Sequence, residues 1–534
     1  MKINKNLFWG LLVLIPILFS GLGCKKFLDR KPLTATLDDL NQGALEAQIL
    51  GMYNILRSYG GFSTLPWIDF HSIRDDDAAK GSDANDGKEV VTEFDIYQYS
   101  KDDWAPNTYW NDHYAMINAA NEALYTADSL KVTDPSSLRN IGEACFFRAY
   151  AYWELVKTYG EVPLINFRIV NPTDGIKEKS PVTTLYAFID SNLQAAITLL
   201  PINWDNAAGE SAFPGRLTSG AAKTVWAETY LFRQDWGKVI SLCNEIIASG
   251  EYSLVANFSD NWRETFNNAI GGGKNGPESI FEMNATVGEN AVNNGALYNG
   301  TAWGTSQQVR QNGAPIEWNL GWGWNTPTQS LVDAFDAADP RKQQTILFSG
   351  QPDGGPALGG HGATIPAYTN PDGNGGLAQR YWNKKLYTGN DPTMRQYTGY
   401  VNNNGDAGWI NHRIYRYAEI ILMLAEAYNE TGNGTAAAEN LELIRNRASG
   451  NLGPSRTIVP PIAFVSQAQM RTAIKNERHY ELAMEGKRFY DLVRWGDAVS
   501  VLGGLGYTHR CRYYPIPQPA ITLSGNVLTQ NPEW

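Results

Sequence analysis

Ala425-Glu426-Ala427-Tyr428, followed by Thr431-Gly432-Asn433-Gly434, lies at the centre of the most telling part of the chain. Apolar residues spaced by three and four run from Ile414 to Glu430 and again from Thr435 to Arg447, with the turn-forming quartet between them. This spacing predicts two antiparallel helices. The same unit occurs earlier: Thr218–Arg233 and Trp236–Ser249 flank Gln234-Asp235, and Ala227-Glu228-Thr229-Tyr230 matches the quartet at 425–428. Ala149-Tyr150-Ala151-Tyr152 opens a third candidate unit. Helix pairs of about 34 residues with a small-residue face are the mark of tetratricopeptide-type repeats. Each pair buries its remaining apolar face only by stacking on its neighbour.

Elsewhere in the chain, further helices are predicted over Ala44–Tyr59, Trp110–Leu130, Ser136–Tyr159 and Thr183–Leu200. The fold class is therefore mainly α, a helical repeat scaffold over about 40–250 and 411–500. Residues 252–411 differ. They are rich in Gly, Asn, Trp and Pro, are briefly periodic at Thr328–Ala337, and read as a loop-rich insertion with short strands. Long loops in a compact body are often functional.

The amino terminus carries Lys2, Lys5 and an apolar run from Leu7 to Phe19, then Gly21-Leu22-Gly23-Cys24. A run of that length is a secretory h-region, since a spanning helix needs about 20 apolar residues. The cysteine at the cleavage point makes 1–23 resemble a lipoprotein signal with Cys24 the acylated first residue, although Gly21 stands where such signals usually carry Leu. The alternative is an ordinary signal peptide with a chance cysteine. No later stretch is long and apolar enough to span a bilayer, so the membrane is met through the lipid anchor only.

The chain has 534 residues and a net charge of −11, which argues against nucleic acid or an anionic membrane as partner. Cys145, Cys243 and Cys511 are too few and too far apart for a disulfide framework or a zinc site. Seventeen Trp residues, many in Gly/Asn-rich stretches, suit a ligand with flat apolar faces and polar rims, and pyranose sugars fit that description. Trp303, Trp318, Trp322 and Trp324 lie beside Tyr298, Gln307, Gln308, Arg310 and Asn319, and form the candidate binding face; simple loop packing is the competing explanation. Trp67 and Trp104 are further candidates. Asp75 and Asp77, within Asp75-Asp76-Asp77, could accept hydrogen bonds from ligand hydroxyls. With Asp83-Ala84-Asn85-Asp86-Gly87 they could also offer oxygens to calcium, but the EF-hand spacing is not met, so no metal is assigned. No phosphate cradle and no nucleophile motif are present, so no cofactor and no catalytic residue are expected.

Glu477, Glu481 and Glu485 share one helical face with Arg478, Arg488, Asp491 and Arg494 close by. A glycoside hydrolase would need two carboxylates straddling a cleft, about 5–9 Å apart. Side chains stacked on one helix do not straddle a substrate. An ion-pair network to the helix of Arg413, Arg416, Glu419 and Glu426 is the expectation instead.

The segment Asn476-Glu477-Arg478-His479-Tyr480-Glu481-Leu482-Ala483-Met484-Glu485-Gly486-Lys487-Arg488-Phe489-Tyr490-Asp491-Leu492-Val493-Arg494-Trp495-Gly496 resembles the carboxyl-terminal signature of the SusD/RagB family of Bacteroidetes outer-membrane lipoproteins. Cys24 to Asp29 with Pro32, Glu143–Tyr150 through Tyr159–Leu164, Arg416–Ala427, Tyr514–Pro517 and Gln530–Pro532 match in order. The resemblance implies a tetratricopeptide-like frame carrying a loop-rich ligand-binding part. It further implies a non-catalytic lipoprotein on the exterior of the outer membrane that passes glycans, or in some branches peptides, to a SusC-like TonB-dependent transporter. A lipid-anchored glycoside hydrolase and a repeat scaffold without small ligand remain as alternatives.

Overall fold

The structure, a computed structural model, describes residues 44–57, 61–62, 64–87, 91–204, 215–263, 273–285, 301–311, 316–372, 375–390 and 409–534. Cys24, the signal stretch before it and Tyr298 lie outside these residues. Two compact units are defined, Met1–Ala47 and Gln48–Trp534. Of the first, only 44–47 is described, the start of helix α1 (Ala44–Leu56). All the other elements belong to the second.

Side chains of the local sequence start and stop the long helices. Asp134 accepts from the Ser137 amide and Pro135 takes the first position of α4 (Pro135–Tyr159), which comes after α2 (Leu65–His71) and α3 (Trp104–Leu130). Next come α5 (Val182–Leu199), α6 (Ser219–Arg233) and α7 (Trp236–Ala248). Thr218 caps α6 through the Ala221 amide, Gln234 ends it in the left-handed region at φ 59°, and Asp235 caps α7 through the Lys238 amide. The Trp110–Leu130 helix expected from periodicity begins earlier, at Trp104.

The helices pack in sequence, α3 on α4, α4 on α5, α5 on α6 and α6 on α7. The short helices α8 (Ala302–Gln307) and α9 (Pro340–Thr345) fall in the stretch that interrupts this order. The order then resumes. Helix α7 packs on α10 (Tyr417–Glu430), which pairs with α11 (Gly434–Ala448) and with α12 (Gln467–Leu482); α13 (Arg488–Trp495) comes next. Ala418, Ile421, Leu422, Ala425, Ala437, Leu441, Ile444, Met470 and Ile474 form the shared apolar core of α10–α12. The small residues at 418, 425 and 437 let the axes approach closely, as stacked repeats require.

Among the described residues, six short strands form three antiparallel pairs. Strand β1 (Ala78–Gly81) pairs with β3 (Trp324–Pro327), β2 (Ser279–Met283) with β6 (His412–Arg416), and β4 (Ile346–Phe348) with β5 (Tyr381–Asn383). Strand β6 corrects the helix start: Ile414 and Arg416 precede α10 in extended backbone, because pairing with β2 outweighs the apolar periodicity. The stretch between α7 and α10 is less open than its Gly/Asn content suggests. It buries a cluster of its own from Val309, Trp318, Leu320, Leu347, Ile365, Leu377, Trp382 and Tyr387. No helix among the described residues is long and apolar enough to cross a membrane.

Candidate functional site

The charged residues of the carboxyl-terminal helices point inward. Arg416, at the end of β6, uses all five guanidinium donors: on the Glu485 carboxylate at 2.8 Å twice, on Glu278 and Glu481 carboxylates at 2.6 Å, and on the Glu481 carbonyl at 2.7 Å. Arg341 of α9, wholly buried, meets Asp339 at 2.8 Å, Glu477 at 2.7 Å and Glu481 at 3.1 Å. Arg447 of α11 joins Glu278 at 3.1 Å and also Glu481. Burial alone would raise the Glu481 carboxyl, but Arg447, Arg416 and Arg341 outweigh it and hold it well below the usual range. Arg478 and Arg494 share Asp491, and Arg494 bridges to Glu426 at 2.6 Å. These carboxylates are buried and face cations. The network ties α12 and α13 to β6, α9, α10 and α11 and, as expected, is a frame. Arg416 contributes to it from the strand rather than from a helix, whereas Arg413 on the same strand pairs with Glu282 at 3.6 Å, which corrects its expected place in the network.

The candidate aromatic cluster divides. Trp303 on α8 stacks on His412 at 3.8 Å and meets the edge of Trp67 at 5.2 Å; Trp67 in turn stacks on His71 at 4.2 Å. Trp318 lies parallel to Tyr387 within the insertion core. Trp324 is a β3 residue, 7 % exposed. These four rings are committed to packing, so they correct the expectation of one open indole face. Gln307 and Gln308 are buried as well: Gln307 accepts from Asn325 at 2.6 Å and Gln308 from Thr388 at 2.6 Å. Asn319 is half-buried, with its side-chain oxygen unpartnered.

Asp75 is buried and accepts the amides of Asp77 and Ala78 at 2.9 and 3.0 Å, shaping the turn into β1. Asp77 pairs with His479 at 2.5 Å, and Asp76 with Arg488 at 2.8 Å. Asp76, Asp77 and His479 form the one grouping of metal-ligand chemistry among the described residues, and Arg488 already neutralises Asp76. Neither Asp75 nor Asp77 reaches solvent, which corrects their assignment as hydroxyl acceptors.

Trp322 is different. It is partly exposed, its amide donates to the Thr305 carbonyl at 2.8 Å, and its ring lies 4.8 Å from that of Trp324 at an angle of 61°. Three loops meet beside it. The Ser82 amide donates to the Gly323 carbonyl at 2.5 Å, Ala84 to the Pro371 carbonyl at 3.0 Å, and the Gln379 side chain to the Ser82 carbonyl at 2.6 Å. Arg310 fastens the first loop by reaching Ser82 at 2.9 Å, Asp83 at 2.9 Å and also Asp86. It acts as a clasp for the loop. On the third loop the exposed Arg380 lies 4.4 Å over the ring of Tyr368. Tyr368 and Arg380 are absent from the sequence candidates, because nothing in their immediate neighbours separates them from other loop residues. Trp104, at the start of α3, is 40 % exposed.

A stacked-helix frame, a charge-locked carboxyl terminus and a partly exposed indole on converging loops define a class of scaffold that presents loops on a rigid helical body. Comparison with known proteins gives the family. The profile described as "SusD family" matches residues 277–510, and "Starch-binding associating with outer membrane" matches 26–231. SusD-like protein P2 of Formosa agariphila is 26 % identical over 506 residues, 91 % of this chain and 92 % of its own length. A laminarin binding SusD-like protein of known structure is 25 % identical with a TM-score of 0.69, covering 92 % of this chain and 99 % of that one. Surface glycan-binding protein A from Bacteroides thetaiotaomicron, solved with laminarihexaose, has a TM-score of 0.72 at 22 % identity over 91 % of this chain and 99 % of its own, a likeness of fold. The chain belongs to the SusD/RagB family.

Proposed function

We infer that the protein is a surface glycan-binding lipoprotein that captures oligosaccharide without chemistry and passes it to a SusC-like TonB-dependent transporter. The carrying observation is the position of Trp322, a partly exposed indole where three loops converge on a rigid frame. An indole face offers a stacking platform for a pyranose ring, while Arg380, Tyr368 and Asn85 supply polar groups on the neighbouring loops. Acylated Cys24 would tether the body to the exterior of the outer membrane. Laminarin-type glucans are the first ligands to try, given the relative named for binding laminarin.

Isothermal titration of the mature protein against a glycan panel tests this, with peptides included. Trp322→Ala is expected to weaken binding of the recognised glycan about tenfold or more, since one aromatic platform contributes on the order of 1.5 kcal/mol or above. Unchanged affinity would remove Trp322 from the site. Release of reducing ends from any polymer by the purified protein would overturn the non-catalytic reading. Co-purification with a TonB-dependent transporter from native membranes tests the partner.

A further inference from the structure

Residues 498–532 contain no Asp or Glu in a chain whose net charge is −11. Five of the seventeen exposed large apolar side chains among the described residues fall in the same stretch: Val499, Val501, Leu505, Leu523 and Val527. The short helix Ala498–Leu502 buries Ala498 and Leu502 and turns Val499 and Val501 outward. Leu505 comes next on a glycine-flanked turn, and the turn after it, His509–Arg512, buries Cys511 while exposing His509, Arg510 and Arg512.

Arg510 and Arg512 differ from the arginines of the interior, which are matched to carboxylates. Neither has a carboxylate partner among the described residues; Arg510 lies 4.4 Å over the ring of Trp534 and Arg512 5.1 Å over that of Tyr513. The Trp534 indole donates to the Arg510 and Tyr513 carbonyls at 3.2 and 3.0 Å, which fixes the ring beside the cations. Exposed Val and Leu, cations without counter-charges and amphipathic rings in one segment are the composition of an interfacial contact.

We propose that the segment Val499–Arg512, with Tyr513 and Trp534, docks on an anionic lipid-headgroup surface. The guanidinium groups of Arg510 and Arg512 are complementary to such a surface and outnumber the exposed Glu533 beside Trp534, whereas the acidic balance of the whole chain conceals them. Guanidinium groups would meet phosphate oxygens, and Val499, Val501 and Leu505 would enter the headgroup region. A tether at residue 24 would hold the body near a membrane without fixing which face looks at it; this contact would fix the face.

Vesicle flotation tests the proposal, using the chain from Lys25 onward so that no acyl chain contributes and the whole Gln48–Trp534 body is kept. Vesicles of phosphatidylcholine with about one third phosphatidylglycerol are expected to retain at least about five times more protein than phosphatidylcholine alone, and to lose it as salt rises from about 0.05 to 0.5 M. Arg510→Glu with Arg512→Glu should reduce retention about tenfold, and Val499→Ser with Leu505→Ser should reduce it severalfold, at unchanged melting temperature because all four side chains are exposed. Arg510→Gln with Arg512→Gln should fall between. Equal retention on neutral vesicles, no retention on anionic ones, or retention indifferent to the arginine changes would each overturn the proposal.

Discussion

Arg416 and Glu481 lie 65 positions apart in the chain, and their side chains meet at 2.6 Å in the closed interior. Glu481 also receives Arg447 and Arg341, so one carboxylate of α12 joins β6, α11 and α9. Removing it leaves three guanidinium groups short of a partner, and an uncompensated buried charge is far more costly than the pair is stabilising.

Glu481→Gln is therefore expected to lower stability by about 3–5 kcal/mol, visible as a fall in the urea midpoint. Lys475→Ala, which breaks a partly exposed pair with Asp497, should change it by no more than about 1 kcal/mol.

Trp322 and Trp324 are neighbouring rings with opposite expected behaviour. Trp324→Ala empties a buried β3 position and should cost about 3–5 kcal/mol. Trp322→Ala should shift the thermal midpoint far less while removing glycan affinity. Parallel melting and titration of the two variants checks the contrast.

The buried histidines make acid destabilising from near neutrality downward. Burial pushes His71 down to about 4 despite the pull of Glu154, and His113 down to about 3. In the unfolded chain both titrate near 6.5, so between about 6.5 and 4 the unfolded state binds protons that the folded state refuses. Stability is then lost as pH falls. The depressed carboxylates of Glu481, Glu426 and Asp491 add a loss of the same sign below about 4.3. Burial also raises the carboxyls of Asp69, Asp75, Glu419 and Asp95, the last to about 6, and these work the opposite way, their contribution fading as pH rises through the raised values. The histidine part is read by difference: between pH 7 and 5 the melting temperature of His113→Gln should fall less than that of the parent chain.

Gly486 adopts φ 71°, and a Cβ there would come within 2.4 Å of the Trp67 ring and 2.9 Å of the His71 Cβ. Gly486→Ala should cost at least about 2 kcal/mol through strain and displacement of Trp67, measured as a lowered unfolding midpoint.

The frame was legible in the sequence because a 3.6-residue apolar period and turn-forming residues act locally. The structure adds why the helices start where they do: Asp134, Thr218, Asp235 and Asn433 each cap the first turn with a side-chain oxygen. The ion-pair network was legible too, since Glu477 and Glu481 share a face of α12 among apolar neighbours; Glu485, expected on the same face, lies past the helix end at Leu482 and reaches Arg416 from the turn. The binding face was only partly legible. Glycine around the tryptophans suggested openness, yet a Cβ on Gly321 would stand 2.2 Å from the Thr305 carbonyl and one on Gly304 2.8 Å from Ile410. Those glycines allow backbone to press on its neighbours, which draws Trp303, Trp318 and Trp324 inward. Strand β6 was hidden because its partner β2 lies more than a hundred residues earlier, beyond any local period.

The charge network also makes the interior depend on the last part of the chain. Arg341, Arg416 and Arg447 precede Glu477, Glu481 and Glu485, and without those carboxylates only Glu278 and Asp339 would meet them. Closing the interior in that state would strand cations in an apolar medium. The final helices are thus the keystone without which the arch does not stand.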